Sequence, residues 1–389
     1  MKIAILLETN FSAGGAFSYS FDTCLDLLKN SKKNNLQLYC LHKNTIELFK
    51  KKGIKAELLI FSFYEKNIIR LINFRLFRFL IKISPFIVPI EKKLLKKNID
   101  AIFFPTLSKS IFLFKKIKFY SSVLDLCHIY HNRNFPEINE AEFNLREDIY
   151  NYSLRRSIKI LTNSDEIKYQ ISKRYKVRKD NIITIPFLPK KLNKKIIRKN
   201  FLKKKYNRYK NFIVYPAQIW SHKNHKAIIE ACKILKKTKV QLNFLFCGRD
   251  KGQKDYLIDL INLYELKNIH FLNFISENEI NYLYRKCKGV IMTSYFGPTN
   301  LPPLEAWSYN KPIIYNKNFQ KELGRNTCEF VNVDNYKELS ISIKKIADNK
   351  YSKIKLINAN NSLQKMKKNY KKKIKLLVEF FETNINSLI

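Results

Sequence analysis

The sequence predicts an α/β protein built from two doubly wound domains. Three observations predict it. The chain has 389 residues, too many for one ordinary core and comfortable for two. Hydrophobic residues make up 46% of it and are spread evenly, so each half can build a core. Short continuous apolar runs alternate with longer helical patterns. Strands that read as continuous rather than alternating runs are covered on both faces, as in a parallel sheet between helices.

The elements follow in order. Met1 and Lys2 open directly into IAILLE, read as a first strand with no signal peptide before it. The further strand candidates of the first half are LQLYCL, AELLIF, AIFFP, FYSSVLD, KILTNS and IITIPF. Those of the second half are FIVYPA, LNFLFCG, IHFLN, GVIMTS and PIIYN. Patterns such as KAIIEACKILKK and SENEINYLYRKC are amphipathic helices between them. Residues 186–211 open with two prolines and then run basic, which marks a linker. The division is therefore 1–190 for the first domain, 191–210 for a basic linker and 211–369 for the second domain. A Lys-rich helical pattern begins near Tyr351, and its end, about 370–389, is expected to pack back on the first domain.

The formal net charge is +42. Two readings fit it: an anionic partner, or a Lys-rich residue usage general to the source. The basic residues do not concentrate in one module, and no RRM, zinc-finger or helix-turn-helix pattern occurs, so nucleic acid is not the expected partner. Seven cysteines without a CxxC pair argue against a disulfide framework and against zinc, and fit a reducing cytoplasm. No apolar stretch approaches the ~20 residues that cross a bilayer. Residues 64–82, YEKNIIRLINFRLFRFLIK, are basic, aromatic and amphipathic. They fit an anionic membrane surface, with Phe74, Phe77 and Phe79 beside Arg70, Arg75, Arg78 and Lys82. They fit equally a helix packed on the first domain's sheet.

Only 8 glycines occur, about 2% against a typical ~7%. Gly14 and Gly15 follow the first strand, Gly248 and Gly252 follow LNFLFC, and Gly297 and Gly324 lie in later loops. Several sit at carboxyl ends of strands, where open α/β sheets bind ligands.

Ser294 to Tyr315, SYFGPTNLPPLEAWSYNKPIIY, reads as strand end, loop, helix and next strand. Its LPPLEA, Leu301 to Ala306, resembles the signature of family-4 glycosyltransferases of the GT-B fold. YPAQIWSHKNH, Tyr215 to His225, resembles the phosphate-binding loop of the same family. With ETNFSAGGAF and VLDLCHIYH the resemblance covers nearly the whole chain. It implies two Rossmann-like domains facing each other across a cleft, a nucleotide-sugar donor, retention of configuration and no metal or other cofactor. It implies donor contacts from Gly15, Gln218, Lys223, Arg249, Gly297, Thr299, Asn300 and Glu305, with Glu305 on the ribose and Lys223 on the diphosphate. The amides at the helix start suit an anion. Two departures stand out. Gly297 replaces a glutamate that contacts the transferred sugar in relatives, and Ala217–Gln218 replaces Gly-Arg. His222 and His225 flank Lys223 without a third ligand nearby, so they do not read as a metal site.

In the middle loop, Asp125 and His128 are the catalytic candidates, to orient the acceptor hydroxyl or take its proton. A hydrogen-bonded structural histidine is the other reading of His128. Arg133 and Arg146 are the acceptor-phosphate candidates, with ordinary surface charges as the other reading. The expected activity is retaining glycosyl transfer to a glycan acceptor, lipid-linked, in bacterial cell-surface polysaccharide or lipopolysaccharide synthesis. The expected place is the cytoplasm, peripheral on the inner face of its membrane. The alternatives are a glycosyltransferase-like scaffold without catalysis and a basic nucleic-acid-binding protein.

Overall fold

The computed structural model describes residues 1–10, 14–32, 35–130, 135–189, 199–238, 240–297 and 300–382. Arg133, Thr299 and residues 190–198 of the basic stretch lie outside them. The chain forms two compact units: 1–134 with 138–186 and 369–389, and 135–137 with 187–368.

The first unit holds a seven-stranded sheet, β1 (Ile3–Leu7), β2 (Leu36–Cys40), β3 (Glu57–Leu58), β4 (Ala101–Phe104), β5 (Lys118–Val123), β6 (Ser157–Thr162) and β7 (Ile182–Thr184), in the order β3-β2-β1-β4-β5-β6-β7. All of its pairs are parallel. β1 and β4 are buried along their whole length, which is why they read as unbroken apolar runs. AELLIF pairs only at Glu57–Leu58, on the sheet edge. The last helix, Lys353–Glu382, ends in this unit. Phe381 is buried against the Phe103 and Tyr120 rings, and Tyr370 donates to Asp26 at 2.7 Å.

The second unit holds a six-stranded sheet, β8 (Phe212–Tyr215), β9 (Asn243–Phe246), β10 (Ile269–Phe271), β11 (Gly289–Met292), β12 (Ile313–Asn316) and β13 (Glu329–Val331), in the order β10-β9-β8-β11-β12-β13, also parallel. β13 was not among the sequence candidates; three residues opening on a glutamate carry too little pattern. Within 191–210, Lys199–Tyr206 is a helix that buries Leu202 and Tyr206 in this unit's core. Lys205 and the Tyr206 hydroxyl both reach Glu279, at 2.6 and 2.9 Å.

Residues 64–82 are not one helix. They form two, Phe63–Leu71 and Arg75–Ile83. The first starts at a capping box, Ser62 with Glu65. At the corner, Arg78 is 3% exposed. It donates to Asp148 at 2.7 Å and to the Ile72 and Asn73 carbonyls at 2.9 and 2.8 Å. Lys82 reaches the other Asp148 oxygen at 2.5 Å. Arg78 and Lys82 therefore tie the second helix to Glu140–Leu154 and are not lipid-facing charges, and Phe77 is partly buried on the core.

Candidate functional site

In the second sheet the strand order reverses between β8 and β11, and open α/β sheets bind ligands beyond the carboxyl ends at such a point. The chain leaves β8 at Tyr215 and makes a short turn, Ser221–Lys223. Asn224, in the left-handed region at φ 53°, caps the helix His225–Leu235 by accepting from Ala227 N at 3.3 Å. Side-chain and backbone bonds join this loop to the one after β11. Thr293 donates to the Lys223 and Asn224 carbonyls at 3.2 and 2.8 Å, and Tyr295 N donates to the His222 carbonyl at 2.9 Å. Lys223 Nζ lies 3.4 Å from Ser294 Oγ. An ammonium is thus held between two strand ends, beside a helix start.

Gly297 follows in the second loop with φ 99°, a conformation that side chains resist. A Cβ there would meet the Asn300 amide at 2.8 Å. That amide is engaged within the loop: it donates to the Gly297 carbonyl at 2.6 Å and to the Tyr315 hydroxyl at 2.7 Å. The Asn300 side chain therefore closes the loop. The helix Leu301–Ser308 starts with Pro302 in its first turn. Glu305 lies one turn into this helix. Its Oε2 accepts from the Tyr284 hydroxyl at 2.6 Å. Tyr284 is buried, stacks on Tyr309 at 5.3 Å, and has its phenol held well above the usual value by burial and by Glu305. Tyr284 went unseen in the sequence because its partner lies on another helix.

Other predicted donor residues are placed differently. Gln218 accepts from Trp220 Nε1 at 3.0 Å. The Arg249 guanidinium lies over the Phe274 ring at 4.8 Å. Gly248 answers a packing need: a Cβ there would stand 2.0 Å from the Ala217 carbonyl oxygen. Gly15 lies in the first unit, in the first turn of Gly15–Asn30, with open space around it. Around Lys223, His222 stacks on Phe296 at 3.9 Å, and its Nδ1 lies 2.5 Å from Glu137, a carboxylate that the sequence reading missed. His225 is buried between Tyr215 and Phe246. Burial, then Lys223, lower its pKa to about 3.

In the first sheet the order reverses between β1 and β4. A cavity of about 670 Å³ opens there, lined by Glu8 after β1, Ser108 and Ser110 after β4, and Asp125 after β5. Its walls are largely apolar, with Phe61, Ile69 and Leu145 among them. Asp125 and Arg146 meet here, 3.7 Å apart. Burial works to raise the Asp125 carboxyl, but Arg146 and Cys127 outweigh it and hold it below the usual carboxylate range. Glu8 behaves oppositely. Burial pushes it up, although Ser108, at 2.5 Å, and Ser110 donate to it. One carboxyl is kept ionised and the other is biased toward its acid. Glu8 was legible only as the residue that ends the first apolar run.

His128 is not brought to this cavity. It is fully buried, with Nε2 3.2 Å from Glu147 and its ring against Tyr150 at 5.2 Å. Glu147 also accepts from Tyr175 at 2.5 Å and from Arg174. The structural reading of this histidine is the one its surroundings favour, because the turn Cys127–Tyr130 points it into the core.

Residues 196–373 match the family described as glycosyl transferases group 1. Over that stretch the chain is similar to group 1 glycosyl transferases. The lysine loop, Gly297 and Glu305 all fall inside it. A curated relative, the O-antigen chain mannosyltransferase RfbU of Salmonella typhimurium, is 28% identical over 199 residues. That match spans 50% of this chain and 52% of the relative, so the chain spans about half the length of the curated relative it matches. Solved structures share the architecture. A glycosyltransferase from Rickettsia africae aligns with a TM-score of 0.68 at 16% identity, covering 98% of both chains. Anabaena HepE in complex with UDP-glucose aligns at 0.68 and 18%, covering 97% of this chain and 98% of its own. WaaG, a glycosyltransferase involved in lipopolysaccharide biosynthesis, aligns at 0.66 and 12%, covering 98% and 100%. The fold is GT-B, as in these solved structures.

Proposed function

We propose that this protein is a family-4 glycosyltransferase that moves a sugar, with retention, from a nucleotide-sugar donor to a lipid-linked glycan acceptor in lipopolysaccharide or O-antigen-type synthesis. The observation that carries the reading is the placement of Lys223, the Gly297 loop and Glu305 around the β8/β11 reversal. Lys223 and the amides near Leu301 take the diphosphate charge, and Glu305 takes the ribose hydroxyls. In transfer, the acceptor oxygen bonds to the anomeric carbon on the face that the diphosphate leaves. The C–O bond to the diphosphate breaks, and a departing phosphate oxygen accepts the hydroxyl proton. No protein nucleophile is required, and Lys223 supplies the neutralising charge without a metal. The acceptor occupies the first-unit cavity, where Asp125 and Arg146 orient it. We place the enzyme in the cytoplasm, at the inner membrane face.

Thermal-shift measurement with UDP, GDP, ADP and their sugars tests the donor reading, since a ligand of the folded state raises its melting temperature. One nucleotide sugar should stabilise the protein, and transfer or slow hydrolysis of it should survive EDTA. Strict, reversible loss on chelation contradicts the metal-free step. A second reading, a scaffold without catalysis, is favoured by Gln218 and Asn300 being engaged within the protein. Stabilisation without hydrolysis or transfer selects it.

A further inference from the structure

The helix pair after β3 has its polarity reversed. The second helix, Arg75–Ile83, buries Arg78 and Ile81, and presents Leu76, Phe79, Leu80 and Ile83 to solvent. Phe74 before it and Phe86 after it are 65% and 76% exposed, and Phe63 at the start of the first helix is 79% exposed. About half of the large hydrophobic side chains exposed in the described residues lie between Ile60 and Phe86. A contiguous face of this kind marks an interaction surface. It is held in place rather than loosely attached, because Arg78 fixes the corner between the helices and, with Lys82, ties it to Asp148.

The exposed charges of this segment have one sign. Between Leu59 and Ile99 the acidic residues are Glu65 and Glu91, and both are buried. Glu65 is spent on the Ser62 cap and on Ile90 N. Glu91 accepts from Lys115 N and Lys116 N. Lys66, Arg70 and Arg75 are exposed on the helices themselves. Lys92, Lys93 and Lys96 are exposed on the next one, Pro89–Lys96. Apolar groups flanked by these exposed cations complement a surface that is apolar below and anionic above. A second copy of the chain would bring the same cations face to face.

We propose that the outer face of residues 60–86 docks on an anionic lipid bilayer, with Phe63, Phe74, Leu76, Phe79, Ile83 and Phe86 in the interface and Lys66, Arg70 and Arg75 on lipid phosphates. The inference deepens the reading of a lipid-linked acceptor and rests on it for its purpose. Phe61 and Ile69, from the same segment, line the first-unit cavity, so an acceptor would reach that cavity from the lipid side.

The test is co-sedimentation of the full chain with phosphatidylglycerol/phosphatidylethanolamine vesicles, and with phosphatidylcholine vesicles, at physiological salt. The protein should partition onto the anionic vesicles. Phe74→Ser/Phe79→Ser leaves every charge in place and should lower partitioning by ~10-fold or more at an unchanged melting temperature. Leu263→Ser, an exposed residue of the second unit, should bind like the wild type. Phe63→Ser/Phe86→Ser repeats the readout should the first variant melt early. Equal binding by the phenylalanine variants overturns the proposal, since general electrostatics would then suffice. So does a dimer, seen by light scattering, that these substitutions dissolve. Binding here needs no donor, so failure of the nucleotide screen would remove the enzymatic reading and leave this result standing.

Discussion

The Tyr284 hydroxyl donates to Glu305 Oε2 at 2.6 Å, which joins the helix Glu277–Lys286 to the helix that carries the proposed ribose ligand. Tyr284 is a positioning residue on this reading. Tyr284→Phe keeps the buried ring and removes the bond. It should weaken nucleotide affinity by about 5- to 10-fold, within the ~1–1.5 kcal/mol of one such hydrogen bond, and raise KM more than it lowers kcat. Glu305→Ala and Lys223→Ala should each cost ~10-fold or more, the scale of a charge-assisted bond. Unchanged affinity in all three variants removes the donor-site assignment.

The cavity of the first unit makes a contrast with His128. Asp125→Asn and Arg146→Ala should lower turnover while leaving nucleotide affinity within about 2-fold, as expected for groups that act only on the acceptor. His128→Ala should act on stability instead, by ~1–3 kcal/mol, because it strips a partner from Glu147 and leaves a void among rings. Circular-dichroism melts and steady-state kinetics on the same preparations separate the two. A fully stable His128→Ala with lost turnover would return the histidine to catalysis.

The buried imidazole of His225 sets a pH dependence. Its folded pKa, about 3, lies below the ordinary 6.5, so folding favours the neutral ring. The stability this gives is fully present above pH 6.5. It falls as the pH drops below that value and levels off only below the folded pKa. At pH 5 the loss is about 2 kcal/mol relative to pH 7. His225→Phe should remove that part of the slope. Urea unfolding at pH 7 and pH 5, wild type against variant, measures it, and identical slopes would contradict the assignment.

Two glycines should respond in opposite ways. Gly248→Ala puts a methyl 2.0 Å from the Ala217 carbonyl oxygen, where the loops after β8 and β9 touch through Ile219 N and the Arg249 carbonyl at 2.9 Å. It should destabilise the protein by ~2 kcal/mol or more, since backbone must move. Gly15→Ala meets nothing within 4 Å and should leave the melting temperature unchanged or higher. If it nevertheless impairs donor binding, Gly15 is a ligand-side glycine after all.

The sequence by itself determined the layers and the addresses of the ligand loops. Buried parallel strands must be continuously apolar, so β1, β4, β8 and β11 are visible without any partner. A scarce glycine or a proline pair marks the turn that follows. β13 was not legible and the extent of β3 was over-read from AELLIF, because short edge strands take their identity from a neighbour's hydrogen bonds rather than from their own pattern. What each polar side chain does was decided by the tertiary structure. Asp125 and His128 are three residues apart, yet one lines a cavity and the other is locked onto Glu147. Arg78 read as a lipid-facing charge until Asp148 and two carbonyls accounted for its guanidinium. Tyr284 and Glu137 gave no signal, and Glu8 showed only as the end of an apolar run, because their roles depend on residues far along the chain. Local periodicity fixes which face is buried, whereas the partner of a buried polar group is chosen by packing between elements, and no sequence window contains both halves of that pair.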